Sequence, residues 1–183
     1  MVSGESMESK ELIIFRRINE AISLSPDVEA VARAILDIVI DCTPGENASI
    51  MMPGPDGSHL EIKAAKGRKD KKGRYSEKSL GQVFAMGEGI AGTAASTRKS
   101  VIIHDTSMDA RFQARNSKVS VGSILSMPMI YSKDELVGVL NVSHPSPHAF
   151  HEDDLGIISG LLSPAALALR NARLMREVDE VNR

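Results

Sequence analysis

Apolar residues recur at helical spacing near the start of the chain, where every third or fourth position is hydrophobic. This spacing predicts an amphipathic helix over Lys10 to Leu24. Its apolar positions are Leu12, Phe15, Ile18 and Ile22. Ser25-Pro26-Asp27 then supplies a capping serine, a proline suited to a first helical position and an acid that complements the helix dipole. A second helix is therefore expected to end around Cys42, with its buried face formed by Val28, Val31, Ala32, Ile35, Leu36 and Val39.

Shorter apolar runs, bounded by turn residues, predict the strands of a sheet. In chain order these runs are Ala48 to Met52, His59 to Ala65, Ser100 to His104, Ser123 to Tyr131 and Leu136 to Ser143. The last two are joined by Ser132-Lys133-Asp134-Glu135, whose composition predicts a hairpin. From about Glu152 the pattern is helical again, and acids in the first turn complement the dipole of this closing helix.

Residues 87–92 spell G-x-G-x-x-G, the spacing of a dinucleotide-binding turn, and a helix is predicted over Ile90 to Thr97. A dinucleotide fold places these glycines after its first buried strand, whereas here they follow two helices and two strands. The context argues against a dinucleotide site. Two interpretations remain: the glycines let the chain turn and the helix pack, or the helix N-terminus approaches an anion.

Composition narrows the class of protein. Hydrophobic residues make up 42% of the chain and charged residues 25%, which is ordinary for a globular domain. A formal charge of -2 argues against a general nucleic-acid surface, and no apolar run is long enough for a membrane span. The single cysteine, Cys42, excludes an internal disulfide, and the N-terminus lacks the pattern of a secretion signal. We expect a cytoplasmic, mostly single-domain protein.

Two clusters of titratable residues were considered as sites. His144, His148 and His151 fall within eight residues, but the intervening prolines and the spacing give no ligand set, so no metal site is predicted. Seven basic residues lie between Lys63 and Arg74, in a stretch with no apolar periodicity. That stretch is interpreted as a solvated loop, with a docking patch for an anion or an acidic partner as the alternative.

The order of these elements resembles the GAF domain, and so do two stretches of sequence. GEGIAGTAASTRKSVIIHD resembles the central helix and strand of that family. SMPMI, ELVGVLNVSHP and HAFHEDDLGIISGLL resemble its last hairpin and the start of its final helix. The resemblance extends over roughly Leu12 to Met175. It implies an α+β fold related to PAS domains, with an antiparallel sheet, terminal helices on one face, and a ligand pocket under a helix and loops on the other.

The same resemblance implies a sensory and dimerisation module of a signal-transduction protein, such as a bacterial regulator in a two-component system. Such domains relay small-molecule or redox signals to kinases, cyclases, phosphodiesterases and transcription activators. We expect residues 1–10 to be a flexible N-terminus, residues 11–175 to be the sensory domain and residues 176–183 to begin a signalling helix. The alternatives are a small stand-alone enzyme on the same fold and a ligand-free dimerisation scaffold.

Candidate lining residues of the implied pocket come from the hairpin, the middle strand, the central helix and a covering loop. They are Thr93, His104, Asp105, Phe112, Met127, Met129, Asn141 and Ser143. Because side chains alternate along a strand, an error of one residue in register would turn the strand candidates to the other face. An apolar group with one or two polar anchors would suit such a site.

The resemblance identifies no cofactor. Covalent bilin attachment is not expected, because no cysteine lies in the pocket half of the chain. The cyclic-nucleotide signature of the family is largely missing: Phe150 precedes Asp154, but Leu155 stands where a glutamate belongs. Haem binding would have His104 as its only candidate iron ligand, and a single histidine in a strand is more often structural. The ligand is therefore left open, and no nucleic-acid or membrane partner is expected.

An enzymatic role is not predicted from the residues. His104 and Asp105 form the only suggestive acid-base pair, and the motifs G-x-S-x-G, H-E-x-x-H and the P-loop are missing. Cys42 lies at the apolar end of a helix and has no resolving thiol. GAF-like methionine sulfoxide reductases work through several cysteines, so they are a poor match on this criterion.

The closing helix carries a heptad-like stripe that we expect to face a second copy of the chain. Its members are Ile158, Leu161, Ala165, Ala168, Ala172 and Met175. A second stripe, Leu155, Leu162 and Leu169, lies on another face, so that one stripe can pack on the sheet while the other meets a partner helix. Pro164 is expected to kink this helix near Gly160.

Overall fold

The computed structural model describes residues 12–20, 27–67, 80–112 and 120–182. Four helical segments are present: α1 (12–20), α2 (Val28–Cys42), α3 (Gly89–Thr97) and α4 (Glu152–Val181). The strands are β1 (Asn47–Pro53), β2 (His59–Gly67), β3 (Val83–Ala85), β4 (Val101–Ile103), β5 (Ser123–Tyr131) and β6 (Glu135–His144). A short 3-10 turn, Thr106–Met108, follows β4. Strand β3, which is three residues long, was not predicted from the sequence.

The strands form one six-stranded sheet in the order β3-β2-β1-β6-β5-β4, and every neighbouring pair is antiparallel. Strand β6 lies near the centre, and its residues from Leu136 to Ser143 are all buried. Register shifts interrupt the ladder between Ile50 and Met51 and between Met129 and Ile130. Such irregularities increase the local twist of the strands. The predicted antiparallel sheet with terminal helices on one face is confirmed.

Side-chain alternation divides the core into two clusters, one on each face of the sheet. In β1, Ile50 and Met52 face the helices α1, α2 and α4, whereas Met51 faces α3. We call the first face the helical face and the second the α3 face. The helical face carries the larger cluster, to which α2 and α4 contribute most of the apolar side chains.

The N-terminal helix buries Ile18, as predicted, but buries Ile14 in place of Leu12 and Phe15. Ile14 and Ile18 join the core on the helical face, while Leu12 and Phe15 are exposed. A shift of one residue along a short helix rotates its apolar face by about 100°. Ile22, the remaining predicted position, lies outside the described residues.

The predicted partner-facing stripe of the closing helix belongs to the protein's own core. Ile158, Leu161, Ala165, Ala168 and Ala172 are all buried on the helical face. Of that stripe, Met175 is exposed. The second stripe packs on the same core, with Leu169 buried and Leu155 and Leu162 partly buried. The apolar face of α4 is wide enough to bring most of both stripes onto the chain's own core, which the spacing alone does not reveal.

Helix α4 continues through Pro164 as one element. Within the described residues it is the one helix long and apolar enough, by length and composition, to cross a bilayer. Core helices pass the same test, and α4 packs its apolar face on the sheet. An ion pair between Lys66 of β2 and Asp37 of α2 adds a polar contact on the helical face.

Gly138 of β6 lies close to the backbone of the neighbouring strand β1. A Cβ at this position would lie 2.6 Å from the backbone oxygen of Met51 and 3.0 Å from the Met129 side chain. Gly138→Ala is therefore expected to lower the free energy of unfolding by about 2 kcal/mol, because backbone cannot move aside as a flexible side chain can. Denaturant unfolding followed by circular dichroism measures the change.

The matched control is Gly156→Ala in α4, where an added Cβ meets nothing within 4 Å. That variant should gain about 0.5–1 kcal/mol from the higher helix propensity of alanine. Equal stability of the two variants would contradict the close approach at Gly138.

Candidate functional site

Helix α3 covers part of the sheet face opposite the terminal helices. Ile90, Ala94 and Ala95 are buried there against apolar residues of four strands, β1, β2, β4 and β6. Those strand residues are Met51, Leu60, Ile62, Val101, Ile103, Leu136 and Val139. The helix is short and rich in small residues, so its backbone can lie close to the sheet.

The glycines that precede and open α3 have backbone roles. Gly87 and Gly89 have φ angles of 83° and 65°, a region that favours glycine. A Cβ on Gly92 would lie 2.6 Å from the backbone oxygen of Ala85, and the Gly87 N–H donates to the Gly92 carbonyl at 2.9 Å. These contacts join the end of β3 to the start of α3. They favour the packing interpretation of the G-x-G-x-x-G run.

A row of polar side chains crosses the α3 face beside the apolar cluster. Asn141 of β6 pairs in register with Ser49 of β1 and with Ser126 of β5. The Ser126 hydroxyl donates to Asn141 Oδ1 at 2.6 Å, and Asn141 Nδ2 donates to Ser49 Oγ at 3.4 Å. We call these three residues the polar row. Ser126 and Asn141 are buried, so the row places hydrogen-bonding groups in the interior of the sheet.

The polar row gives way to apolar side chains on one side and to further polar ones on the other. Val139, two residues before Asn141, belongs to the cluster beneath α3. Ser143, two residues after it, pairs with Asn47 of β1. This face of the sheet therefore changes from apolar to polar along β6, as a site for a ligand with an apolar body and a polar edge would require.

His104 and Asp105 follow the edge strand β4, and His148, in the loop after β6, lies against His104. The rings of His104 and His148 stack with centroids 5.9 Å apart, and the His148 N–H donates to the His104 carbonyl at 2.7 Å. Asp105 accepts hydrogen bonds from the hydroxyl and the backbone N–H of Ser107, which lower the pKa of its carboxyl group. The His148 charge has a smaller effect in the same direction. All of these side chains are at least partly solvent-exposed.

The structure separates the predicted lining residues into two groups. Asn141 and Ser143 lie on the α3 face, because Leu140 and Val142 between and beside them face the helices. Phe112 is partly buried against the apolar cluster, and the Thr93 hydroxyl donates to the Gly89 carbonyl within α3 at 2.6 Å. Whether any of them contacts a ligand stays a prediction.

Met127 and Met129 do not belong to this face. Both side chains are buried on the helical face with α2 and α4. The error is one of parity, because Ser126 and Pro128 occupy the alternate positions of β5. Ser49 and Ser126 were missed as candidates. They can be identified only from the strand register, which places a serine directly opposite Asn141 on each neighbouring strand.

The three histidines near the end of the sheet make different contacts. His144 lies 3.7 Å from Glu46, and its Nδ1 accepts from the Ser146 N–H at 3.0 Å. His148 stacks on His104, whereas His151 caps the N-terminus of α4 together with Asp154. Among residues 12–20, 27–67, 80–112 and 120–182, no group of three potential metal ligands converges.

A tight ion pair stabilises the loop that leads to Phe112. Arg111 donates from Nε and Nη2 to the two carboxylate oxygens of Asp109, at 2.9 and 2.6 Å. The Arg111 backbone N–H donates to the same carboxylate. These contacts lower the pKa of Asp109 to about 2, chiefly through the side-chain hydrogen bonds. The pair therefore persists in mildly acidic solution.

Asp109→Asn is expected to lower the melting temperature at neutral pH and to have a smaller effect at low pH. The folded pKa lies below the ordinary value of 3.8, so this carboxylate stabilises the fold fully above about pH 4 and loses its effect as the pH falls toward 2. Thermal unfolding of both proteins at pH 6 and pH 2.5 measures the difference. Arg111→Ala removes the other partner, and additive effects in the double variant would contradict the pairing.

The comparisons with known proteins agree on the fold. The family model of the GAF domain matches residues 25–170. The GAF domain of an Acinetobacter phosphoenolpyruvate-protein phosphotransferase is 21% identical, with a TM-score of 0.74 over 91% of this chain and 97% of that one. The GAF domain of the Coxiella burnetii phosphotransferase is 17% identical, with a TM-score of 0.76 over 92% and 98%. No curated protein matches the sequence.

Enzymes with this fold overturn the prediction that the chain is not an enzyme. The free methionine-R-sulfoxide reductase of Neisseria meningitidis is 15% identical, with a TM-score of 0.71 over 88% of this chain and 89% of that one. A second such reductase, from Thermoplasma acidophilum, is also similar in structure. The fold therefore does not separate sensors from enzymes, and that exclusion was wrong. The family model matches more than half of the chain, which therefore belongs to the GAF domain family.

Proposed function

We propose that this GAF domain binds a small molecule on its α3 face and transmits the occupancy of that site to α4. The buried polar row carries the proposal. An amide side chain has two donor and two acceptor positions, and the bonds to Ser126 and Ser49 use one of each on Asn141. One donor and one acceptor position of Asn141 remain, which suits a ligand that carries an amide-like edge.

The charges around the polar row limit the ligand. Its three side chains are neutral, and the cluster beside them is apolar. Asp105 and the pair Asp109–Arg111 are charged groups of the loop after β4, outside the polar row. A largely neutral molecule with an apolar body and one polar edge fits this surface better than a polyanion does. His104, Asp105, Phe112 and Thr93 are candidates for contacts at its margin.

The hairpin between β5 and β6 offers a route from the α3 face to α4. Arg98, the residue after α3, donates from Nε to the backbone carbonyl of Asp134 at 3.4 Å. Arg170 of α4 lies 3.2 Å from the Glu135 carboxylate, and its guanidinium lies 4.1 Å from the centroid of the Tyr131 ring. Helices on opposite faces of the sheet therefore hold the same hairpin, so a movement of α3 on binding would displace the contacts of α4.

The biological setting follows from the relatives. A methyl-accepting chemotaxis protein fragment, 23% identical with a TM-score of 0.69, has the same fold. Together with the phosphotransferase domains it supports a cytoplasmic role in a bacterial regulator, in which residues 11–175 sense and residues 176–183 lead toward an effector. Two-component signalling is one such setting.

A stand-alone enzyme is the second candidate, and the reductases of the same fold favour it. The only cysteine, Cys42, lies in α2 and is partly buried on the helical face, opposite the polar row. Incubation of the protein with free methionine-R-sulfoxide and a dithiol, followed by amino-acid analysis, tests this candidate directly. Methionine formation that persists in Cys42→Ser would establish turnover at a site without a thiol.

Native mass spectrometry of the purified chain, compared with its denatured mass, tests for a bound molecule. A non-covalent adduct would support the proposal and give the mass of the ligand. The protein is also tested by thermal shift against a small-molecule extract of the producing cells, since a ligand of the folded state raises its melting temperature. The proposal would be contradicted if the protein carried no adduct and its melting temperature did not change with the extract.

Asn141→Leu is expected to weaken binding of the recovered compound by at least about tenfold, because a buried hydrogen bond to the ligand is lost. Isothermal titration calorimetry measures the affinity. Asn182→Leu, at the exposed C-terminal cap of α4, is the matched control and should bind normally. If Asn141→Leu folds poorly, Ser126→Ala tests the same row with a smaller change. Unchanged affinity in folded variants would remove the polar row from the site.

Arg170→Gln is expected to bind the compound normally but to lose the response of α4. Hydrogen exchange of α4 amides with and without the compound measures that response, because broken contacts to Tyr131 and Glu135 uncouple the helix from the hairpin. Arg176→Gln, whose side chain pairs with Glu180 within α4, is the control. An equal response in both variants would contradict the proposed route.

A further inference from the structure

The hydrogen bonds of the polar row run in one direction. Ser126 is fully buried, so its hydroxyl hydrogen needs an acceptor inside the protein, and Asn141 Oδ1 lies 2.6 Å away. That separation is ordinary for an O–H···O bond but shorter than the roughly 2.7–3.2 Å of N–H···O bonds. The amide therefore turns its oxygen toward Ser126 and its nitrogen toward Ser49, to which Nδ2 donates at 3.4 Å.

This direction leaves a hydrogen-bond donor at one end of the polar row. Ser49 Oγ accepts from Asn141, so the row does not use the Ser49 hydroxyl hydrogen. Within the part of the chain that the structure describes, no residue is paired with that hydrogen as its acceptor. Ser126 and Asn141 are buried, whereas Ser49 is half-buried. The accessible end of the row is therefore a donor.

Strand β2 carries small residues in register with this end of the row. Ala65 pairs with Ser49, and Gly67 pairs with Asn47, the residue two positions before Ser49. Ala65 is only partly buried on the α3 face. A methyl group and a hydrogen are the smallest side chains, so a molecule that reaches Ser49 meets no bulky side chain at these two positions.

We infer that Ser49 determines which chemical group the proposed ligand site accepts, an inference that rests on the function proposed above. The site takes a neutral compound whose carbonyl oxygen accepts from the Ser49 hydroxyl and whose body lies over Ala65. Water can accept from a half-buried hydroxyl, so a compound that displaces this water must supply an acceptor of its own. A compound without one leaves the donor unpaired and binds more weakly.

The charges of the row favour a carbonyl over a carboxylate or a phosphate. The row offers hydroxyl and amide groups only, and burial of an anion against one neutral donor is unfavourable. Lys66 lies between Ala65 and Gly67 in β2, but its side chain pairs with Asp37 of α2 on the helical face. It therefore does not offset a negative charge at Ser49.

Ser126 is a positioning residue in this arrangement. Its hydroxyl holds the Asn141 oxygen on the side away from Ser49. Without that hydroxyl the amide is free to turn over and to accept from Ser49, which removes the donor that a ligand would use. The preference for an acceptor thus depends on a residue that lies beyond reach of the ligand.

Chromone and indole, two neutral bicyclic compounds of similar size, test the inference. Chromone carries a carbonyl acceptor and no N–H, whereas indole carries an N–H and no carbonyl. Each is titrated into the ¹⁵N-labelled 183-residue chain, and amide resonances are followed by nuclear magnetic resonance. Chromone should bind at least about tenfold more tightly than indole, with the largest shifts in β1 and β2 around Ser49 and Ala65.

Ser49→Ala should lose this preference, because both compounds then meet a methyl group. Ser49→Thr keeps the hydroxyl and should keep the preference, as should the matched control Ser96→Ala on the exposed side of α3. Ser126→Ala should narrow the ratio of the two affinities although Ser49 is present, a change that a general loss of packing does not produce. Circular dichroism checks folding. If Ser49→Ala folds poorly, Ser49→Cys, whose thiol is a weak donor, replaces it.

Equal affinities in the original protein, tighter binding of indole or binding of neither compound would overturn the inference. So would a preference that survives in folded Ser49→Ala, or shifts confined to the helical face. If the compound recovered from cells binds the original protein and Ser49→Ala equally, the inference about Ser49 fails and the proposed function stands. If no compound is recovered and neither probe binds, both fail. A chromone preference that depends on Ser49 supports the inference whether or not the extract yields a compound.

Discussion

The fold depends on a strand that must satisfy two cores at once. From Leu136 to Ser143 every residue of β6 is buried, and successive side chains serve the helical face and the α3 face in turn. Leu140 and Val142 hold α2 and α4, whereas Val139 and Asn141 serve the cluster and the polar row on the other side. A change on one face is therefore felt through backbone shared with the other, which would couple the proposed ligand site to α4.

Sequence periodicity identified most of the elements because helices and strands differ strongly in repeat. It did not determine which side of each strand faces which core. Met127 and Ser126 are adjacent in sequence but face opposite sides of the sheet. Only the pairing of Ser126 with Asn141 shows which residue lies on which side. The three residues of the polar row come from three strands that are distant in sequence, so no local sequence pattern predicts it. The closing helix shows the same limit: periodicity marked Ile158 and Leu161 as a seam but could not distinguish the chain's own sheet from a partner helix.

Proteins of the GAF family share a fold but differ in function, and individual side chains account for that difference. The GAF fold is shared by phosphotransferase domains, a chemotaxis protein and sulfoxide reductases, at identities between 15% and 23%. This chain carries a neutral amide between two serines on the α3 face and its single thiol on the opposite face. Those residues, rather than the architecture, determine which ligand or reaction the domain can support.

The two register shifts in the sheet have a consequence for how this domain can change over time. Both lie beside Gly138, since Met51 pairs next to it and Met129 pairs with it. At each shift one extra residue keeps the side chains beyond it on their proper faces. Asn141 and Ser126 lie outside both shifts, so the register does not depend on the identity of their side chains. Loss of a single residue at either shift would instead exchange the two faces along part of a strand, so ligand preference can diverge by substitution while chain length through the central strands cannot vary.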